Sequence, residues 1–149
     1  HPTLGNNAQL GMQLGWVGTG RFGAQDLGFL GERADGSVYT SAQDLADWVQ
    51  MRLGRQVTLV PGAPGPVHRL AWCSGGAQSY FEDAIAAGAQ AYITGEISEP
   101  QAHYARECGV IYIACGHHAS ERYGAPAVAA HVAAQLGLTH HFIDIPNPA

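Results

Sequence analysis

The feature that most restricts the fold is an alternation that begins near residue 56. Residues 56–60 read as a strand before a Pro/Gly loop at 61–66. Further short apolar runs at 67–73, 91–94, 110–114 and 141–145 are then separated by Ala-rich segments that stop at glycine. Of these segments, 79–87 reads as a helix ending at Gly88, and 98–107 as one with Ser98 at its N-cap and Gly109 just past its end. The helix to 136 has Pro126 in its first turn and Gly137 as its stop. Strands joined through single helices pair in one sheet by right-handed crossovers. The expected class is therefore α/β, with a mostly parallel sheet flanked by helices.

The first 55 residues are less regular. A helix at 7–14 stops at Gly15, a Gly-rich stretch follows, 37–39 reads as a short strand, and 41–53 is an amphipathic helix. Leu45, Trp48, Val49 and Leu53 share one face of that helix. The expected organisation is a lead-in segment at 1–55 and an α/β lobe at 56–149. With 149 residues, 46% hydrophobic and 13% charged, the chain can bury a sizeable core. Its seven basic residues are all Arg and its net charge is −5, so no basic run exists to neutralise a nucleic-acid backbone or an anionic membrane. No apolar stretch approaches the roughly 20 residues of a membrane span. Cys73, Cys108 and Cys115 contain no Cys-x-x-Cys pair, which argues against a disulfide framework or zinc ribbon and for a reducing, cytoplasmic setting.

In an open parallel sheet, ligands bind beyond the carboxyl ends of the strands. Three turns leave such ends: Cys73-Ser74-Gly75-Gly76, Thr94-Gly95-Glu96-Ile97-Ser98, and Cys115-Gly116-His117-His118-Ala119-Ser120-Glu121. On one helical turn, His117 and Glu121 face the same side, a suitable ligand pair for Zn, Fe or Mn. The alternative, in which both His are satisfied by backbone carbonyls and Glu121 serves the next helix, stays open. His118 points elsewhere and is a candidate for proton transfer. Glu96 is a candidate general acid or base, against a reading as a carboxylate at a helix N-terminus. Ser74, Gly75 and Gly76 offer backbone N–H groups to an anion, although a tight turn explains the glycines equally well. His103 reads as an ordinary helix-face residue and Cys115 as core. Gly18-Thr19-Gly20-Arg21-Phe22-Gly23 has dinucleotide-loop spacing but lacks the strand and helix that such a loop joins.

Several of these stretches resemble the Ngg-interacting-factor-three-like family, whose bacterial members are labelled GTP cyclohydrolase I type 2 homologues. The specific parts are Gly116-His117-His118-Ala119-Ser120-Glu121-Arg122 and the tail from Phe142 to Ala149. The likeness also takes in Thr94 to Glu99, His1 to Asn7, Gly20-Arg21-Phe22-Gly23 and Trp72 to Gly76. It implies two similar α/β lobes assembled as a hexameric toroid, with two divalent metal ions (Zn, Fe or Mn) in the cleft between lobes. His117 and Glu121 match the family's last two ligands. The paired His and the Asp that complete its set would lie upstream of His1. These residues are thus expected to be the C-terminal part of a longer chain, and weak or absent metal binding is expected of them alone. The implied activity is divalent-metal-dependent hydrolysis of a small heterocyclic or nucleotide substrate. The alternative is a non-catalytic metal-binding or partner-binding oligomer.

Overall fold

A computed structural model describes residues 1–148; Ala149, the last residue of the tail motif, lies outside them. Helix α1 (Asn6–Leu14) leads into strands β1 (Trp16–Phe22) and β2 (Gly28–Arg33), then helix α2 (Ala42–Leu53) and strands β3 (Thr58–Val60) and β4 (Leu70–Trp72). Helix α3 (Phe81–Ala86), strand β5 (Ala91–Thr94), helix α4 (Glu99–Cys108) and strand β6 (Ile111–Ala114) follow, and helices α5 (His117–Glu121) and α6 (Gly124–Leu136) close the order.

All six strands form one sheet in the order β1-β2-β4-β5-β6-β3. The α/β class is as expected, but the sheet is mixed. Only β4-β5 and β5-β6 pair in parallel, while β1-β2, β2-β4 and β3-β6 are antiparallel. The parallel core is the part built from strand–helix–strand units, where a crossover dictates direction. Residues 1–55, expected as a lead-in, supply two strands to this same sheet. The run at 37–39 contributes only a bridge between Tyr39 and Val67. The strand expected at 141–145 does not form: residues 138–148 have no regular structure.

Side-chain alternation along the central strands builds a core on each face. Leu70, Trp72, Ile93, Ile111 and Ile113 pack on one side with Leu10 and Leu14 of α1 and Leu45, Val49 and Leu53 of α2. Ala71, Tyr92, Tyr112 and Ala114 pack on the other with Phe81 and Ala84 of α3 and Ala105 of α4. On that second face the Phe81 ring meets Tyr112 edge-on at 4.9 Å between centroids. Ser41 caps α2 by accepting from the Asp44 N–H, whereas Ser98 occupies the cap position of α4 without a side-chain hydrogen bond.

Candidate functional site

Because β4, β5 and β6 are parallel, the turns that follow them reach the same edge of the sheet. Their backbones are bonded to one another there. The Gly95 N–H donates to Gly75 O and the Gly116 N–H to Gly95 O, both at 2.9 Å. The Thr94 hydroxyl donates to Gly75 O at 3.1 Å. Ser120 Oγ accepts from the Gly75 N–H and donates to His117 O, each at 2.9 Å. From the far end of the chain, Asn7 Oδ1 accepts from the Ser74 N–H at 2.6 Å, and Asn7 Nδ2 donates to Leu27 O at 2.6 Å.

This framework brings His117, Glu96 and Glu121 together. His117 Nδ1 lies 2.6 Å from Glu96 Oε1, and His117 Nε2 lies 3.2 Å from Glu121 Oε2. The His117–Glu121 contact follows from their i, i+4 spacing on α5. Glu96 is held in place by the Tyr112 hydroxyl, which donates to Glu96 O at 2.7 Å, and by Gln78 Nε2, 3.2 Å from Glu96 Oε2. The hydrogen bond to Glu96 holds the His117 imidazole above its ordinary value of 6.5, with Glu121 reinforcing it. The same bond, with help from Gln78, draws the Glu96 carboxyl below 4.5. The three side chains are 40 to 44% exposed, so water and solutes reach them.

Two glycines make the room. Gly75 has φ +69°, and a Cβ there would run into Glu121 Oε1 and come within 3.1 Å of His117 Nε2. At Gly95 a Cβ would lie 2.6 Å from Gly75 O and 2.7 Å from His117 Cα. Of the two glycines expected to cradle an anion, Gly75 instead admits the His117–Glu121 pair, and Gly76 faces the Glu96 carboxylate. The anion role fails for the N–H groups of Ser74 and Gly75, because Asn7 and Ser120 already accept from them. Ser74 and Gly76 line a cavity of about 380 Å³ that also reaches Glu121, Tyr80, Asn6 and Arg21.

The structure does not bring His118 to this cluster. One residue along α5 is a step of about 100°, and His118 Nε2 turns instead to Asp144 of the tail at 3.2 Å. Arg122 Nη1 donates to the same carboxylate at 3.0 Å, which docks the tail motif against the His-His turn. Cys115 is core, and burial pushes its thiol up to about 12. Gly18 and Gly20 lie within β1 beside a bulge, so the glycine spacing there marks a strand and not a phosphate loop. His103 faces solvent beside Glu99. Asn7, Tyr112 and Ser120 are the residues whose part in the site sequence reasoning missed; a polar side chain in the first turn of α1 was the one available signal.

Two donors of borderline and hard character, His117 Nε2 and Glu121 Oε2, therefore face a common point over a bare glycine. The carboxylate on Nδ1 fixes the ring, an arrangement typical of metal-ligating histidines. The donor chemistry suits a divalent ion. Among the described residues, however, no group of three or more His, Cys, Asp or Glu could hold a metal, so these side chains fit part of a coordination shell and not all of it.

Known proteins match the chain in both sequence and fold. A curated relative from Pseudomonas aeruginosa, named GTP cyclohydrolase 1 type 2 homolog, is 45% identical over the whole chain. The chain spans 59% of that relative's length. A solved structure described as protein ybgI, of unknown function, superposes with a TM-score of 0.92 at 43% identity, covering all of this chain and 59% of its own. That of TTHA1606 from Thermus thermophilus gives 0.82 at 26% identity, again over all of this chain and 58% of the other. The model of the Duf34/NIF3 (NGG1p interacting factor 3) family matches residues 1–148. Since that match runs through residues 1–148, the chain belongs to the Duf34/NIF3 family.

Proposed function

We propose that the protein is a divalent-metal-dependent hydrolase-like protein in which His117 and Glu121 are two ligands of a dinuclear centre, the remaining ligands coming from outside these 149 residues. The observation that carries this reading is the convergence of His117 Nε2 and Glu121 Oε2 over Gly75, with Glu96 on the opposite ring nitrogen. Zn, Mn or Fe bound there supplies Lewis-acid polarisation of a hydrolysable bond.

The chain's own residues have separable tasks. Glu96 accepts from Nδ1–H and so leaves the Nε2 lone pair for a metal that Glu121 Oε2 would share; as a carboxylate it is also the group placed to accept a proton as a base. Ser120 and Asn7 fix the Gly75 turn, and the cavity beside Glu121 receives substrate. His118, turned to Asp144, is left with a tail-holding role. A small heterocyclic or nucleotide-like substrate is supported by the relatives' name, GTP cyclohydrolase 1 type 2 homolog. Assembly into a hexamer belongs to the same proposal and is supported by Val128, Val132 and Leu136, which α6 leaves exposed. The three cysteines are free thiols, which fits a cytoplasmic setting. No helix among the described residues is long and apolar enough to cross a membrane.

The test is metal analysis of the full-length protein loaded with Zn, Mn or Fe, followed by assay against GTP and a panel of heterocycles. His117→Ala and Glu121→Ala are each expected to lower bound metal and abolish metal-dependent turnover. Unchanged stoichiometry would remove the centre from this turn. Metal binding without turnover of any substrate would favour the non-catalytic reading.

A further inference from the structure

The motif Gly20-Arg21-Phe22-Gly23 has no part in the centre just described, yet it places a cation at the same cavity. Arg21 lies on β1, directly opposite Phe29 of β2. Its guanidinium carbon sits 3.4 Å from the centroid of the Phe29 ring. Among the described residues it makes one hydrogen bond, from Nη1 to Asp26 O at 3.2 Å. That carbonyl belongs to a turn in which Gln25 and Asp26 both hold positive φ, 56° and 54°. No carboxylate pairs with Arg21 among the described residues, whereas Arg33 and Arg122 each hold an aspartate. Arg21, Ser74, Ser79, Tyr80 and Glu121 all line the cavity of about 380 Å³. A guanidinium stacked on an aromatic ring keeps its in-plane N–H groups free and oriented, the geometry that receives an oxyanion in two parallel hydrogen bonds. The volume falls in the range of small-ligand pockets.

We infer that Arg21 is the anion-binding residue of this cavity, taking the phosphate or carboxylate group of a small substrate whose reacting end lies toward Glu121. This rests on reading His117 and Glu121 as the reacting site. The Phe29 ring fixes the plane of the guanidinium, and the Asp26 carbonyl fixes its rotation about the side-chain axis. Ser74, Ser79 and Tyr80, on the wall of the same cavity, offer hydroxyls to the body of the ligand. Substrates that lack the oxyanion lose the one unneutralised cation that the cavity wall presents on β1.

The test is titration of the full-length protein, stripped of metal with chelator, with inorganic phosphate and separately with acetate, followed by the Nε–H resonance of Arg21. Saturable shifts of that resonance are expected for at least one probe; the one that binds more tightly identifies which oxyanion the site prefers. Arg21→Gln is expected to weaken that binding at least ten-fold, Arg21→Lys to restore part of it, and both to leave metal stoichiometry at His117 and Glu121 unchanged. The resonance reads the unmodified protein, so a variant that folds poorly does not compromise the test. Binding seen only with metal present and unaffected at Arg21 would place the anion on the metal and overturn the inference, as would no shift with either probe. Loss of metal binding with the Arg21 response intact would overturn the metal reading alone.

Discussion

Gly75 is where the conformational and chemical demands of the site coincide, and Gly75→Ala separates them. Alanine at φ +69° carries a left-handed backbone cost of about 1–2 kcal/mol. The added Cβ also meets Glu121 Oε1, the far end of a flexible side chain, which can swing away. Displacing it gives up a half-exposed contact with His117, worth about 0–1 kcal/mol. The expected destabilisation is therefore about 1–3 kcal/mol, each kcal/mol lowering Tm by roughly 2–4 °C in a chain of this size. Gly54 is the matched control. It caps α2 at φ +69° with nothing within 4 Å of a built Cβ, so Gly54→Ala carries the backbone cost alone. Urea denaturation of the two variants is expected to agree within about 1 kcal/mol, while metal analysis of the full-length protein separates them. Gly75→Ala should lose metal as Glu121→Ala does, and Gly54→Ala should retain it. Wild-type metal content in Gly75→Ala, or equal loss in both variants, would refute the clearance argument.

Three other outcomes follow from the same geometry. Since the folded-state value of His117 is raised above 6.5, its contribution to stability is complete below pH 6.5 and fades as pH rises through the folded value; Glu96, drawn below 4.5, contributes above pH 4.5 and fades as pH falls. In metal-free protein the pair thus contributes most between those two values, and Glu96→Gln should lower the His117 titration followed by NMR; an unmoved curve would rule out the hydrogen bond as its cause. Gly95→Ala presses a methyl against Gly75 O and His117 Cα, backbone atoms that cannot step aside, and is expected to lose about 1–3 kcal/mol in urea denaturation. Asn7→Ala leaves the Ser74 N–H and Leu27 O without their partner, a loss of about 1–3 kcal/mol by the same assay, and a change below about 0.5 kcal/mol would show that water replaces the amide.

The central strands, buried on both faces, are readable as short continuous apolar runs, and the helices around them from Ala-rich segments with glycine stops or, in α2, from its apolar face. β1 and β2 are not, since Gly18, Gly20, Gly28 and Gly31 dilute the pattern. Those glycines answer to contacts that a one-dimensional reading does not contain: a Cβ at Gly28 would run into the Phe22 ring, and one at Gly31 into Val17 O and the Trp72 ring. The tail fails in the opposite direction. Phe142, Ile143 and Ile145 make a short apolar run ended by Pro146, as a strand does, yet lie exposed with no strand beside them among the described residues. Within the site, the His117–Glu121 pair is legible from four-residue spacing. The Glu96–His117 contact spans 21 positions and depends on β5 and β6 lying side by side, which only the sheet order determines.

The bonds that fix the Gly75 turn also set when the site can exist. Ser74 to Asn7 closes 67 residues, Gly75 to Ser120 closes 45, and Gly124 to Asn6 closes 118. Closures of that length are made after local helices and hairpins, because their entropy is recovered only once the intervening sheet is in place. A partly folded chain, whatever secondary structure it holds, therefore does not present His117 and Glu121 over Gly75. The geometry of the site thus reports that α1, the Gly75 turn and α5 have come together.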